Sequence, residues 1–329
     1  MQGTAMYSTV SFQSVLAGYE CILMEAAISE LLEHRSLVDV HPELGCAPCI
    51  YDPGGQQALK NAYQGFVSAA RDGGVPLLVT GPTWRCNHQL VQAADVPLSI
   101  NRDAIRFMQG VIQELGLDMK HPVLVGGLLG PLRDAYRPEM ALDEKTARKA
   151  HAWQADELSQ AGADYLMAAT IPAVDEAAGL AQAMARTGPP YIVSFVLNRQ
   201  SRILDGASLD EAIRRIDAES SPPPAGYMVN CSYPSFFRPQ EEPVRVLKRL
   251  IGYQANASSL EHHKLDQAEK MEADPLDDWG GRMLELHRRW GLKILGGCCG
   301  TGEEHLRYLV SATSGRADLS GLVQKKISH

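Results

Sequence analysis

The stretch LKILGGCCGTGEEHL, residues 292–306, contains one complete unit of strand, turn and helix. The apolar run at its start predicts a short buried strand, and the glycines around Cys298 and Cys299 allow the chain to turn tightly. Thr301 and Glu304 have the T-x-x-E spacing of a capping box, which predicts that a helix starts here. The two adjacent cysteines are therefore expected at the exit of a strand.

The same alternation of a short apolar run with an amphipathic segment extends along the chain. The predicted strands cover residues 21–24, 76–80, 122–126, 164–167, 191–195, 226–230, 250–253 and 292–295. Apolar residues at three- and four-residue spacing predict outer helices at 142–162, 174–188 and 208–219, whereas 244–253 could be helical throughout. Eight such units favour an α/β fold, a single (β/α)8 TIM barrel, whose chemistry lies at the carboxyl ends of the strands.

The composition favours a small-molecule enzyme. The 329 residues are 45% apolar and 21% charged, which suffices for a full core, and the net charge of -8 gives no reason to bind nucleic acid or an anionic membrane. The chain shows neither a signal peptide nor a stretch of about 18 apolar residues. We expect a cytoplasmic protein that could form a homo-oligomer, with an N-terminal extension at 1–20, the barrel at 21–315 and a tail at 316–329.

The seven cysteines point to metal-binding or catalytic thiols rather than a disulfide framework. Cys231 ends the sixth predicted strand, so in a barrel it lies on the same rim as Cys298 and Cys299. Three thiolates leave one position open, as in a catalytic zinc site, where an incoming thiol could bind and react as a thiolate. The alternatives for the adjacent pair are two core residues or a vicinal disulfide.

Two further groups of candidate ligands are weaker. Cys46 and Cys49 form a C-x-x-C motif, but no second pair completes a structural zinc site, and its role is left open. His262 and His263 lie in a polar insertion with no partner motif, which favours a solvated loop.

The strand ending V-N-C, followed later by G-G-C-C-G-T, resembles the homocysteine S-methyltransferase family over about residues 22–309. That family includes betaine-, S-methylmethionine- and methylfolate-dependent members. The resemblance implies that Cys231, Cys298 and Cys299 bind Zn2+ and that the sulfur of homocysteine takes the open position.

Other positions depart from the family pattern. Glu25 follows the first strand where the family has Asp-Gly-Gly; it could meet the ammonium group of a substrate or be a helix-start acid. Ala169 replaces the glutamate of Glu-Thr-Ile-Pro that would bind the amino group of homocysteine. Trp84 could cover a cationic methyl donor or be simply packed, and Asn230 could orient substrate, hydrogen-bond a thiolate or end a strand.

The sequence therefore predicts a zinc-dependent S-methyltransferase that transfers a methyl group directly to a small thiol, with homocysteine, giving methionine, as the first candidate. The partners are this thiol and a methyl donor that the sequence does not identify. Two alternatives stay open: transfer involving a different sulfur compound, and a zinc-thiol binding protein without turnover.

Overall fold

In the computed structural model, which describes residues 10–34, 38–116, 121–261 and 273–313, eight parallel strands close into a barrel in chain order. The strands are β1 (Ile22–Met24), β2 (Leu77–Thr80), β3 (Val123–Leu129), β4 (Tyr165–Ile171), β5 (Tyr191–Phe195), β6 (Gly226–Ser232), β7 (Leu250–Ala255) and β8 (Ile294–Gly297). The last strand pairs with the first, where Leu23 lies opposite Leu295. The prediction of a single (β/α)8 barrel is confirmed.

Helices connect successive strands, and one further helix lies at each end of the barrel sequence. They are α1 (Phe12–Gly18), α2 (Ser29–His34), α3 (Pro53–Gly73), α4 (His88–Ala93), α5 (Ile100–Glu114), α6 (Glu144–Gln160), α7 (Val174–Ala185), α8 (Leu209–Glu219), α9 (Val244–Arg249), α10 (Leu276–Trp290) and α11 (Glu303–Thr313). Local chemistry fixes several starts; α8, for example, begins with a capping box between Ser208 and Glu211. None of the helices in the described ranges is long and apolar enough to cross a membrane.

The apolar core has two layers, because successive side chains of a strand point to opposite faces. One layer fills the barrel and includes Ile22, Met24, Leu78, Tyr165, Met167, Ile192, Met228 and Ile294. The other lies between the strands and the helices. Helix α1 inserts Phe12 and Val15 into the inner layer, and the ring of Phe12 lies 5.3 Å from that of Tyr165 at the start of β4. Helix α1 thus covers the end of the barrel at which the strands begin. The opposite end, where the strands finish, is the mouth of the barrel. The predicted domain boundaries remain predictions.

Five strands extend beyond their predicted ends: β3 to Leu129, β4 to Ile171, β6 to Ser232, β7 to Ala255 and β8 to Gly297. Near the ends of β4 and β6, the polar side chains of Thr170 and Asn230 are buried and hydrogen-bonded to each other. The ambiguous range 244–253 contains helix α9 followed directly by β7.

Candidate metal centre and its surroundings

The sulfurs of Cys231, Cys298 and Cys299 lie within 4.8 Å of one another at the mouth of the barrel. Among the residues that the structure describes, this is the one group of histidine, cysteine and acidic side chains close enough to hold a metal ion. The sulfurs of Cys231 and Cys298 are in direct contact as a disulfide pair, and their Cα atoms are 5.4 Å apart. The sequence did not anticipate this pairing. A metal ion can bind these two sulfurs only in their reduced form.

Cys231 points into the site because its strand is irregular at this position. The register between β6 and β7 shifts between Asn230 and Ser232, and Cys231 has a φ of 49°. Strand β4, which β5 separates from β6, also shifts register between Ala168 and Ile171, and Thr170 has a φ of 62°. The left-handed region is unusual for residues other than glycine, and bulges that re-aim a side chain are common beside active sites.

The side chain of Asn230 makes four hydrogen bonds, two of which join these two irregular strands. Its Oδ1 accepts from the backbone N–H of Thr170 at 2.8 Å and from the hydroxyl of Ser194 at 2.7 Å. Its Nδ2 donates to Thr170 Oγ1 at 2.7 Å and to the sulfur of Cys231 at 3.3 Å. The amide is therefore committed to the protein itself, which favours the predicted contact with the thiolate over direct contact with substrate.

The turn with Cys298 and Cys299 is held from both sides. The backbone N–H of Cys298 donates to the carbonyl of Ala255 at 2.8 Å, which ties the turn to β7. On the other side, the Glu30 carboxylate in α2 accepts from the backbone N–H of Gly300 at 2.6 Å. Gly300 has a φ of 77°, so the tight turn needs glycine there.

The predicted capping box after this turn is wrong. Helix α11 begins at Glu303, so Gly302 and not Thr301 precedes it. The hydroxyl of Thr301 donates to the carbonyl of Cys298 at 2.6 Å. Thr301 thus stabilises the cysteine turn itself.

Asn256, which follows β7, is a residue that the sequence analysis missed. Its Nδ2 donates to the carbonyl of Cys231 at 3.2 Å, and its side chain is buried between the strands that carry the cysteines. Its Oδ1 is buried with no hydrogen-bond partner in the described structure. An orphaned buried acceptor is costly unless a ligand satisfies it. A polar residue at the end of an apolar strand was the available signal.

Glu25 lies just after β1, and its carboxylate is bonded to the end of β2. It accepts hydrogen bonds from the backbone N–H of Thr80, at 2.9 Å, and from the Thr80 hydroxyl. Burial raises the pKa of Glu25 to about 7, and the hydrogen bonds from Thr80 oppose this shift. The structure does not place Glu25 against the cysteines, and its contact with a substrate ammonium stays a prediction.

The raised pKa predicts how Glu25 affects stability. The folded protein holds this proton more tightly than the unfolded chain does, so the stabilising contribution is full below the ordinary pKa near 4.5 and is lost as the pH rises through about 7. We expect the free energy of unfolding of Glu25→Gln, relative to wild type, to rise by on the order of 2 kcal/mol between pH 5 and pH 8.

Urea denaturation at the two pH values would measure this difference. Glu20→Gln is the matched control, because that side chain is 93% exposed. A pH-independent difference for Glu25→Gln would contradict the prediction.

Trp84 lies over the mouth between β2 and β4. Its indole N–H donates to the carbonyl of Ala169 at 3.0 Å, and its ring packs against the inner layer of the core. Gly130 fits closely below it, since a Cβ atom there would lie 2.5 Å from Nε1. Ala169 belongs to the same apolar layer. Trp84 is therefore packed, and its contact with a methyl donor stays a prediction.

Within the described ranges, no further histidine, cysteine or acidic side chain completes a metal site at the C-x-x-C motif. Cys46 and Cys49 are buried at a short 3₁₀ helix, residues 47–51, and the sulfur of Cys46 lies 3.0 Å from the hydroxyl of Ser29. Burial raises the pKa of Cys46 to about 12 and also raises the pKa of Cys49. Such thiols are poor nucleophiles. His262 and His263 lie outside the described residues.

A parallel (β/α)8 barrel with three clustered thiols at its mouth indicates an enzyme that acts on sulfur compounds. The family model of the homocysteine S-methyltransferases matches residues 22–313, which is most of the chain. The chain belongs to the homocysteine S-methyltransferase family, and it is a thiol S-methyltransferase by that membership. The predicted family and enzyme class are confirmed.

The solved structures include similar barrels. The homocysteine methyltransferase MmuM from Escherichia coli, in its metallated form, is 17% identical with a TM-score of 0.69, and the match covers 91% of this chain and 99% of that one. The oxidized form gives the same identity and TM-score, covering 91% of this chain and 98% of that one. The apo form has a TM-score of 0.62 at 17% identity with the same coverage. At this identity the likeness establishes the fold alone. No curated protein matches the chain.

Proposed function

We propose that Cys231, Cys298 and Cys299 bind one Zn2+ ion and that the protein methylates a small thiol, with homocysteine as the first candidate. The observation that carries the proposal is the meeting of three cysteine sulfurs within 4.8 Å at the mouth of the barrel. Family membership supports the thiol acceptor, and the existence of a metallated form of MmuM supports a bound metal.

The residues present fit zinc. Thiolates are soft ligands that suit zinc, and three protein ligands leave a fourth position for substrate, as in catalytic rather than structural sites. Zinc held by these sulfurs would supply a Lewis acid that keeps an incoming thiol deprotonated near neutral pH. The orphaned Oδ1 of Asn256 adds a buried acceptor next to the strand of Cys231.

The chain's own residues would orient the two substrates. Asn230 holds the Cys231 side chain in place through its hydrogen bond to the sulfur. Trp84 presents an aromatic ring at the mouth, which would attract a methyl donor that carries a positive charge. Glu25 would meet the ammonium group of homocysteine only by giving up hydrogen bonds to Thr80. Direct transfer requires the donor methyl group in line with the thiolate.

A second candidate is methyl transfer to a different sulfur compound. Ala169, at the position of the family glutamate, belongs to an apolar layer and offers no side-chain charge to an amino group. Because the carboxylate of Glu25 is hydrogen-bonded to Thr80, the mouth of the barrel suits an acceptor thiol without an ammonium group.

Metal content tests the first step. Plasma mass spectrometry on tag-free protein, purified under reducing conditions without chelator, is expected to find about one zinc per chain in wild type and much less in Cys298→Ser. Cys21→Ser is the control, since Cys21 precedes β1 at the far end of the barrel from the mouth. Wild-type protein without zinc would remove the basis of the mechanism.

A screen of acceptors and donors tests the second step. Homocysteine and thiols without an amino group would each be offered with S-methylmethionine, S-adenosylmethionine and betaine. Turnover of homocysteine at ordinary enzymatic rates would exclude the second candidate. If only thiols that lack the amino group are methylated, the acceptor is such a thiol and not homocysteine.

A further inference from the structure

Two hydrogen-bonding side chains lie next to the sulfur of Cys231: Asn230 on its own strand, β6, and Thr170 on β4. Asn230 Nδ2 lies 3.3 Å from this sulfur, and the hydroxyl of Thr170 lies 3.4 Å from it. Both of these side chains are only 3% exposed, so water does not compete strongly for these bonds.

The direction of these hydrogen bonds follows from their partners. A backbone N–H can only donate, so the Asn230 atom 2.8 Å from the N–H of Thr170 must be the amide oxygen. Nδ2 therefore faces Thr170 Oγ1 and the sulfur of Cys231. Because Oγ1 accepts from Nδ2, its own proton is free to point to the sulfur. A reduced, ionised Cys231 thus receives two donors.

Two donors reduce the electron density that the thiolate can offer to an electrophile. This matters because, under the proposed function, the acceptor sulfur and the ligand sulfurs lie near the same reactive methyl group. In the unwanted reaction, a lone pair of Cys231 forms a bond to the methyl carbon while the bond from that carbon to the donor breaks with its electrons left on the donor. The product, S-methylcysteine, has lost the negative charge of a thiolate ligand.

We propose that Thr170 and Asn230 determine which sulfur is methylated, by lowering the nucleophilicity of Cys231 relative to the acceptor thiol. The inference rests on the proposed function. The backbone supports it: Thr170 adopts a left-handed conformation with a φ of 62° that a β-branched residue rarely takes, and this conformation places its hydroxyl at the sulfur.

Iodomethane is a suitable probe, because it methylates thiolates without needing the binding site of the natural donor. Zinc-loaded, reduced wild type, Thr170→Val and Thr170→Ser would be treated with it, and peptide mass spectrometry would give the ratio of methylation at Cys231 to that at Cys299. Valine keeps the branched shape without the hydroxyl, whereas serine keeps the hydroxyl. We expect the ratio to rise about five- to tenfold in Thr170→Val and to stay near wild type in Thr170→Ser.

An unchanged ratio in Thr170→Val would overturn the inference, as would an equal rise in Thr170→Ser. If Thr170→Val does not fold, Thr170→Gly removes the hydroxyl while relieving the left-handed backbone, and the same rise is expected. Failure of the proposed function is a separate result, since it would appear as wild type that binds no zinc or methylates no thiol.

Discussion

The Cys231→Ser variant is expected to methylate thiols at least about 10³-fold more slowly than wild type. Replacing residues that merely hydrogen-bond to metal ligands typically lowers affinity or activity about 10- to 100-fold, so loss of a ligand should exceed that range. Serine is nearly the same size as cysteine but offers a hydroxyl, a poor and mostly protonated ligand for zinc. The value of kcat/KM with the best donor and acceptor would measure the change, together with zinc content.

The stability of Cys231→Ser separates a catalytic from a structural effect. The backbone bulge at this position is held by Asn230 and by the pairing of Ser232 with Ala255, which the substitution leaves in place. We therefore expect the free energy of unfolding of the metal-free protein, measured with its cysteines reduced, to change by only about 1 kcal/mol. Activity within tenfold of wild type would show that the three-sulfur site is not needed for methyl transfer. A large loss of stability would show that the lower activity reflects unfolding rather than loss of a metal ligand.

The barrel could be predicted from the sequence because its parallel strands are buried on both faces and therefore appear as short, nearly continuous apolar runs. Tyr191–Phe195 in β5 was predicted to the residue. The meeting of Cys231 with Cys298 followed from the same rule, since strand ends in a closed barrel share one rim.

The site residues that escaped prediction are polar groups that act on one another across strands. The contacts of Thr170 and Asn256 depend on the register of β4, β6 and β7. Inspection of a single sequence does not reveal which polar residues lie opposite each other across strands. The bulges also made these residues hard to predict. A shift of one residue turns a side chain to the other face of the strand, and no local pattern in the sequence indicates such a shift.

The second large effect is expected from Glu176, in the first turn of α7. Acidic residues in the first turn of a helix are favoured by its dipole, and this side chain is in addition fully buried. Its carboxylate accepts from the backbone N–H of Leu132 at 2.8 Å and of Leu142 at 3.3 Å, and it lies 3.1 Å from Nε2 of the buried His151. Glu176 is therefore hydrogen-bonded near both ends of the loop that leads from the carboxyl end of β3 to α6.

Glu176→Ala is expected to lower the free energy of unfolding by about 3–5 kcal/mol, because it leaves the buried ring of His151 and two partly buried backbone N–H groups of the loop without their acceptor. The neighbouring Asp175→Ala is the matched control. Asp175 is 58% exposed and pairs with Arg215 at the surface, so its loss should change the free energy of unfolding by about 1 kcal/mol or less.

Urea denaturation of the three proteins, with limited proteolysis of the loop, would test this role. If Glu176→Ala lost no more stability than Asp175→Ala, water or a rearranged loop would be satisfying the same donors. The buried carboxylate would then not be what holds this side of the mouth in place.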